Sequence, residues 1–251
     1  MIEIKKLTKA FGTRKITNEL DLSIKDGEFL AIIGRSGEGK SVFLKQIIGL
    51  ITPDSGQVMI DGKDVTKLKD RKLEDIFKKC GYVFQFAALL DSLNVFENIG
   101  ISLLEEGEAA EKVKPLVLER IRQVGLRDDV LEKQTSELSG GMKKRVGLAR
   151  TLMMNPKIII YDEPTTGLDP ITVRVIHDLI KQTQKEQKAT SIVISHDIEI
   201  FNYADRVAML HEGKIIHIGP AKEIWEVENP YVHQFIRGLP EGPIKQPGVT
   251  K

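Results

Sequence analysis

Gly34-Arg35-Ser36-Gly37-Glu38-Gly39-Lys40-Ser41 is the segment whose residue types and spacing point most directly to chemistry. Gly34, Gly37 and Gly39 let backbone N–H groups turn inward onto phosphate oxygens. Lys40 is then placed to reach β- and γ-phosphates, and the Ser41 hydroxyl to ligate Mg²⁺. A helix opening at Ser41 adds its positive N-terminal end. Asp162-Glu163 closes the apolar run Ile158 to Tyr161. There Asp162 would face a metal ion, and Glu163 would face an attacking water as general base or orienting acceptor. His196 follows a second such run and can hydrogen-bond a γ-phosphate, although a lone histidine at a strand end is more often a surface or capping residue. Gln85 lies just past Gly81 to Phe84 and can reach metal or water; taken alone it reads as a loop glutamine.

Leu138-Ser139-Gly140-Gly141-Met142 opens a segment with an apolar stripe at Val146, Ala149 and Met153. Lys143, Lys144 and Arg145 fall in its first turn, where cations oppose the helix dipole unless an anion docks there. For Lys143 and Lys144 a solvated basic turn is the preferred reading. For Ser139 and Gly141, an anion site serving a second subunit's γ-phosphate is preferred.

These groups need elements to position them. Phe29 to Ile33 reads as a buried parallel strand ending at glycine, with Val42, Phe43, Leu44, Ile47 and Ile48 opening a helix after the loop. Gln57 to Ile60, Gly81 to Phe84, Ile158 to Tyr161 and Ser191 to Ser195 read as further strands. Ala110 to Val124 carries a helical stripe at Val113, Val117, Ile121 and Val124, stopped by Gly125. Asp169-Pro170 is an N-cap with proline at the first helical position, and Val173, Ile176, Leu179 and Ile180 mark that helix's buried face. Val207 to Leu210 and Lys214 to Ile218 flank Glu212-Gly213 as a hairpin. The pattern is an α/β core interrupted by a mostly helical insert, roughly Phe86 to Asn155. From Leu239 the tail is rich in Pro and Gly, including Pro247 and Gly248, and is expected to lack regular structure and to be loose or docked on a partner.

Composition narrows the class. Lys+Arg 37 against Asp+Glu 36 leaves a net charge of +1, which disfavours a nucleic-acid partner. The single cysteine, Cys80, cannot form an internal disulfide and fits a reducing compartment. No apolar run approaches the ~20 residues of a membrane span. The N-terminal Met1-Ile2-Glu3-Ile4-Lys5 does not read as a secretion signal.

Taken together, the segments resemble the ATP-binding cassette (ABC) ATPases. The Walker A loop is Gly34 to Ser41, the Q-loop glutamine Gln85, the signature loop Leu138 to Met142, Walker B Ile158 to Glu163, the D-loop Gly167-Leu168-Asp169 and the switch histidine His196. The resemblance implies a P-loop NTPase (RecA-like) core with an antiparallel β subdomain and a helical insert subdomain. The core with its β subdomain would span residues 1–85 and 156–230, the signature subdomain 86–155 and the tail 231–251. It also implies ATP and Mg²⁺, the metal held by Ser41, Gln85 and Asp162, and a head-to-tail homodimer. Each ATP would then lie between one subunit's Gly34, Arg35, Ser36, Gly37, Glu38, Gly39, Lys40 and Ser41 and the other's Ser139, Gly140 and Gly141. Phe11 would stack on adenine, where the family more often has Tyr. Met142 replaces the usual Gln, Arg35 and Glu38 stand where small or neutral residues are usual, and Val42 where Thr is common. Glu163, His196 and Gln85 are the catalytic candidates.

A narrower resemblance is to the ATPases of Mla/MCE-type phospholipid transporters. It rests on Phe84 to Leu90 with Asn94-Val95-Phe96-Glu97-Asn98, on the LSGGM form of the signature, on Asp169-Pro170-Ile171-Thr172, and on His233 to Pro243. It implies a membrane permease, an MCE-domain lipid-binding protein, in some systems a STAS-domain protein, and peripheral placement at the cytoplasmic face of the inner membrane. The apolar Phe86 to Leu90 segment would be a partner socket, with Leu89 and Leu90 equally able to pack inside the insert. Tyr231, Phe235, Ile236 and Leu239 fall at helical spacing, and the segment beyond could reach across a dimer. The alternatives are an importer ATPase for a polar solute and a permease-free ABC ATPase of the cytosol.

Overall fold

The computed structural model describes residues 1–245; Pro247 and Gly248 of the expected tail lie outside them. In chain order the strands and helices are β1 (Ile2–Phe11), β2 (Arg14–Ile24), β3 (Phe29–Ile33), α1 (Lys40–Ile47), β4 (Ser55–Ile60), β5 (Lys63–Asp64), α2 (Arg71–Lys79), β6 (Cys80–Val83), α3 (Val95–Glu105), α4 (Ala110–Gln123), α5 (Gly140–Leu152), β7 (Ile158–Asp162), α6 (Pro170–Gln187), β8 (Thr190–Ile194), β9 (Arg206–His211), β10 (Lys214–Pro220) and α7 (Pro230–Ile236). They fall into two compact units: Met1–Thr66 with Ser195 onward, and Lys67–Ile194.

The first unit holds an antiparallel sheet of order β2-β1-β4-β5 and the run β10-β9-β3, in which β9 lies parallel to β3 and antiparallel to β10. Asn18 N donates to Gly213 O at 2.9 Å, stitching β2 to the β9–β10 turn. Every residue of β3 is buried, as a strand covered on both faces must be. Burial of side chains such as Phe29, Leu30, Ile32 and Ile33 contributes roughly 1.5–3 kcal/mol each. α7 buries Val232 and Ile236, while Tyr231 and Phe235 are half-buried and Leu239, past the helix end, is exposed. The helical spacing around Tyr231 is therefore real, with the buried edge one position further along.

Beyond α7 the described part of the chain, to Lys245, is irregular, as expected, but it is not loose. It folds back on its own helix: Gln234 Nε2 donates to Ile244 O at 3.1 Å, and Ile244 N donates to Gln234 Oε1 at 2.7 Å. The buried Ile244 is the apolar anchor of this return.

The second unit holds the parallel run β8-β7-β6 and, between β6 and β7, the helical insert of α3, α4 and α5. α3 opens with a capping box, Asn94 accepting from Glu97 N and Glu97 accepting from Asn94 N. α4 buries Val113, Val117 and Ile121, and Gly125 takes φ +68° just past its end, both as the periodicity predicts. α6 opens as its sequence requires, Asp169 accepting from the N–H groups of Ile171 and Thr172. On its buried face Ile176, Leu179 and Ile180 are covered and Val173 is half-exposed. Among the described residues no helix is long and apolar enough to cross a membrane.

Candidate functional site

In the first unit, β3 ends at the glycine-rich loop and α1 begins at Lys40. Gly34 has φ +150°, and a Cβ there would lie 2.4 Å from Leu210 O, so no larger residue fits. Gly39 stands at the N-cap in the left-handed conformation with no side chain capping the helix, the kind of helix start that suits an anion. No acidic residue lies in that turn. Lys40 is buried and its Nζ donates to Gly34 O at 2.8 Å and Arg35 O at 2.7 Å, so its charge is held inside the loop. Arg14, from the start of β2, donates to Gly37 O at 2.5 Å. Phe11 is 52% exposed, a flat ring open to a stacking partner, with Lys9 Nζ 5.5 Å from its centroid. His196 is exposed on the turn after Ser195, and Ser195 N donates to Ile32 O at 3.4 Å, tying that turn to the end of β3.

The two charged departures in the loop have partners within the same unit. Glu38 accepts from His211 Nδ1 at 2.8 Å and from Glu212 N at 3.1 Å. Arg35 donates to Lys245 O at 2.5 Å. A cleft of about 660 Å³ lies along this edge of the loop, between Arg35, Glu38, His211, Tyr231 and Lys245.

In the second unit, three of the candidates converge at the end of β7. Gln85 Nε2 donates to Glu163 Oε2 at 2.9 Å, and Thr166 Oγ1 donates to the same oxygen at 3.1 Å. Asp162 is buried, and Tyr82 Oη donates to its Oδ2 at 2.8 Å. Burial raises the Tyr82 phenol well above its usual range, and the Asp162 charge adds to the effect, so Tyr82 is a permanent donor. Glu163 sits at φ +50°, a conformation costing about 1–2 kcal/mol for a residue with a Cβ. Bonds from Glu163 N to Ile194 O and from Thr166 N to Glu163 O hold it there.

Ser139 caps α5, accepting from Met142 N at 3.3 Å, and Ser139 and Gly140 are exposed at the helix start. Val146, Ala149 and Met153 are buried as the stripe predicts. Lys144 departs from the solvated reading. It is 8% exposed, and its Nζ donates to Thr166 O at 2.9 Å and Glu163 O at 3.5 Å. Burial pulls its pKa down to about 8, against an opposing pull from Glu163. The cause is a second buried stripe on α5, Gly141, Lys144, Leu148 and Leu152. Its spacing of three, four and four was the sequence signal that could have placed Lys144 inside.

Four further residues escaped sequence reasoning. Tyr82 and Thr166 orient the two carboxylates as described. Arg150 donates to Ala87 O and Ala88 O at 2.8 and 2.7 Å. Asn98, fully buried, accepts from Leu90 N and donates to the carbonyls of Leu90, Leu93 and Asn94. Together Arg150 and Asn98 hold the segment after Gln85, leaving Phe86 82% and Leu90 44% exposed while Ala87 is buried. Strand alternation in β6, which buries Gly81 and Val83, puts Tyr82 on the other face; nothing in the pattern revealed its partner.

A phosphate loop, a paired Asp–Glu strand end and a Ser-Gly-Gly helix start in one chain are the parts of an ATP-binding cassette. Residues 17–166 match the family described as ABC transporter. The chain belongs to that family. It is 37% identical over 247 residues to the intermembrane phospholipid transport system ATP-binding protein MlaF of Haemophilus influenzae, covering 98% of this chain and 93% of MlaF. It is 38% identical over 245 residues to the probable ribonucleotide transport ATP-binding protein mkl of Mycobacterium leprae, covering 97% of this chain and 70% of that protein. Among solved structures it resembles the ATP-binding cassette MJ0796 in a dimeric post-hydrolysis state bound to ADP and Pi. There the TM-score is 0.81 and the identity 33%, over 88% of this chain and 99% of that one. The chain is thus the ATP-binding, ATP-hydrolysing subunit of an ABC transporter, with the P-loop NTPase fold anticipated from its motifs.

Proposed function

We propose that this ABC ATPase drives phospholipid movement between membranes in an Mla/MCE-type system, working as a homodimer at the cytoplasmic face of the inner membrane. The observation that carries the reading is the end-to-end match to a phospholipid-transport ATPase, 98% of this chain against 93% of the relative. That match takes in the tail, whose His233 to Pro243 stretch resembles the same group. The dimeric state of a solved cassette of the same fold supports the homodimer.

In this reading the residues divide the work as follows. The loop Gly34 to Ser41 and the uncapped start of α1 bind the phosphates of ATP, Lys40 exchanging its carbonyl contacts for β/γ-phosphate oxygens. Phe11 stacks on adenine. Ser41, Gln85 and Asp162 offer hydroxyl, amide and carboxylate oxygens, a donor set that suits Mg²⁺. Bound there, Mg²⁺ would neutralise charge developing on the phosphate oxygens. Tyr82 fixes the Asp162 carboxylate, and Gln85 and Thr166 fix that of Glu163. Glu163 takes a proton from, or orients, the attacking water, and His196 reports the γ-phosphate. Ser139, Gly140 and Gly141 serve the ATP of the second copy, which closes the dimer; loss of the γ-phosphate reopens it. Phe86 and Leu90, held outward by Arg150 and Asn98, form the apolar socket for the permease. An MCE-domain protein, and in some systems a STAS-domain protein, complete the assembly.

A second reading follows from the equal likeness to a protein described as a ribonucleotide transporter ATPase: a polar cargo, with the same nucleotide chemistry. Affinity purification of the tagged chain in mild detergent, with mass spectrometry of proteins and lipids, separates the two. Recovery of a multi-span permease, an MCE-domain protein and phospholipid is the expected result. A permease with a solute-binding protein and no lipid would transfer the chain to the second reading. Recovery of no membrane partner would favour a cytosolic ATPase instead.

A further inference from the structure

The start of α5 lies close against the stretch that follows β7. A Cβ on Gly140 would lie 3.7 Å from Leu168 Cδ2, and one on Gly141 would lie 2.7 Å from Thr172 Cγ2. One turn further on, Lys144 Nζ donates to Thr166 O at 2.9 Å and, more weakly, to Glu163 O at 3.5 Å. Thr166 in turn donates its hydroxyl to the Glu163 carboxylate. A short path therefore runs from the Ser139–Gly141 helix start, through Lys144 and Thr166, to Glu163.

We propose that Lys144 is a positioning residue, tying the Glu163–Thr166 turn to the start of α5 so that an anion seated on Ser139–Gly141 sets the aim of Glu163. The inference rests on the roles proposed above for Glu163 and for the Ser-Gly-Gly start. In a head-to-tail dimer it links the two ATP sites, because the same α5 that serves the second copy's ATP steers the general base of its own.

The physics favours a tie over a direct phosphate contact. The Lys144 ammonium is buried and spends its donors on backbone carbonyls, while the exposed surface at the helix start belongs to Ser139 and Gly140. Those carbonyls belong to a turn whose first residue, Glu163, is in a left-handed conformation. Such a turn persists only if its surroundings over-determine it. Charge-assisted donation is about twice as strong as donation by a neutral group, which suits lysine to the task.

The test uses the full-length chain carrying Lys144→Met, Lys144→Gln, Lys144→Arg or Glu163→Gln. ATP hydrolysis is followed against ATP concentration, and affinity for a fluorescent ATP analogue is measured in parallel. Lys144→Met is expected to lower kcat about tenfold, a loss of about 1.4 kcal/mol in transition-state stabilisation, with KM and analogue affinity within about twofold of the parent. Cooperativity in ATP should fall with kcat, and Lys144→Arg should recover most of both. Lys144→Gln, too short to reach Thr166 O but easily accommodated in a helix, supplies the same comparison if the methionine variant fails to fold. Unchanged kcat and cooperativity in the neutral variants, with Glu163→Gln inactive, would overturn this inference alone. Parallel loss of kcat and analogue affinity, unrecovered by arginine, would also overturn it, marking Lys144 as merely structural. If Glu163→Gln retained turnover, the assignment of the general base would fall, and the inference with it.

Discussion

At the residue scale, orientation is the recurrent theme. Each carboxylate at the end of β7 is gripped by a donor from elsewhere in the chain, Asp162 by Tyr82 and Glu163 by Gln85, with Thr166 of the same turn adding to the second. A hydrogen bond to a charged acceptor is worth about 1.5–3 kcal/mol. Tyr82→Phe keeps the ring pair with Phe84, whose centroids are 4.5 Å apart, and removes only that bond. It should raise the Mg²⁺ concentration giving half-maximal ATPase activity about fivefold or more, while ATP-analogue binding without Mg²⁺ stays as it was. A magnesium titration identical to that of the parent would count against the role of Tyr82. Lys144 has a separate signature in pH. Its pKa is about 8 in the folded protein against an ordinary 10.5. Between those values the unfolded chain holds a proton that the folded one has released, so this group makes stability rise with pH there. Below about 8 both states are protonated, and the cost of burying the charge is felt in full. Relative to Lys144→Met, the parent should therefore gain thermal stability between pH 8 and 10. Melting curves of the two proteins across that range test the sign.

At the element scale, two helix starts do different work. α1 begins at a glycine with no side-chain cap, and α5 begins at a serine that is its own cap. In the function proposed above, the first serves phosphate; the second, whose Ser139 satisfies one of its own donors, would present a small surface to a partner's nucleotide. Between them in sequence, the segment Phe84 to Leu93 has little regular structure of its own and borrows it from α3 and α5 through Asn98 and Arg150. Asn98→Ala would take the side-chain partner from Leu90 N and Leu93 O, while Leu90 O and Asn94 O keep backbone donors. A stability loss of about 1–3 kcal/mol is expected, measurable by urea unfolding. Loss of the outward setting of Phe86 and Leu90 should also weaken permease recovery in the purification described above.

At the scale of the whole molecule, each unit carries its own part of the chemistry. The first holds the phosphate loop, Phe11, His196 and the returning tail; the second holds Gln85, Asp162, Glu163 and the start of α5. The tail matters to the first unit's stability because Ile244 is buried and Gln234 makes its bonds to the returning strand of chain. Removing everything after Gly238 exposes apolar surface and strands the Gln234 amide. It should cost about 2–4 kcal/mol, seen as a lower denaturation midpoint. It also frees Arg35 from Lys245, so ATP affinity measured on the same truncated protein reports whether that contact restrains the loop.

The sequence by itself determined the phosphate loop, the strand ends that carry Asp162 and Glu163, the stripe of α5 and the cap of α6. These follow from local rules: glycine where the backbone turns against a phosphate, uninterrupted apolar runs where a strand is covered on both faces, apolar residues at helical spacing, and an Asp before a Pro where a helix begins. Only the tertiary structure decided which side chains orient the chemistry. Tyr82, Thr166, Lys144, Asn98 and Arg150 act on residues between 3 and 80 positions away in the chain. The longest of these contacts form only once parallel strands and packed helices have brought remote segments together. The tail shows the same limit. Its prolines and glycines declared it irregular, but whether it stayed loose or returned to its own unit depended on a buried isoleucine meeting a glutamine ten residues earlier.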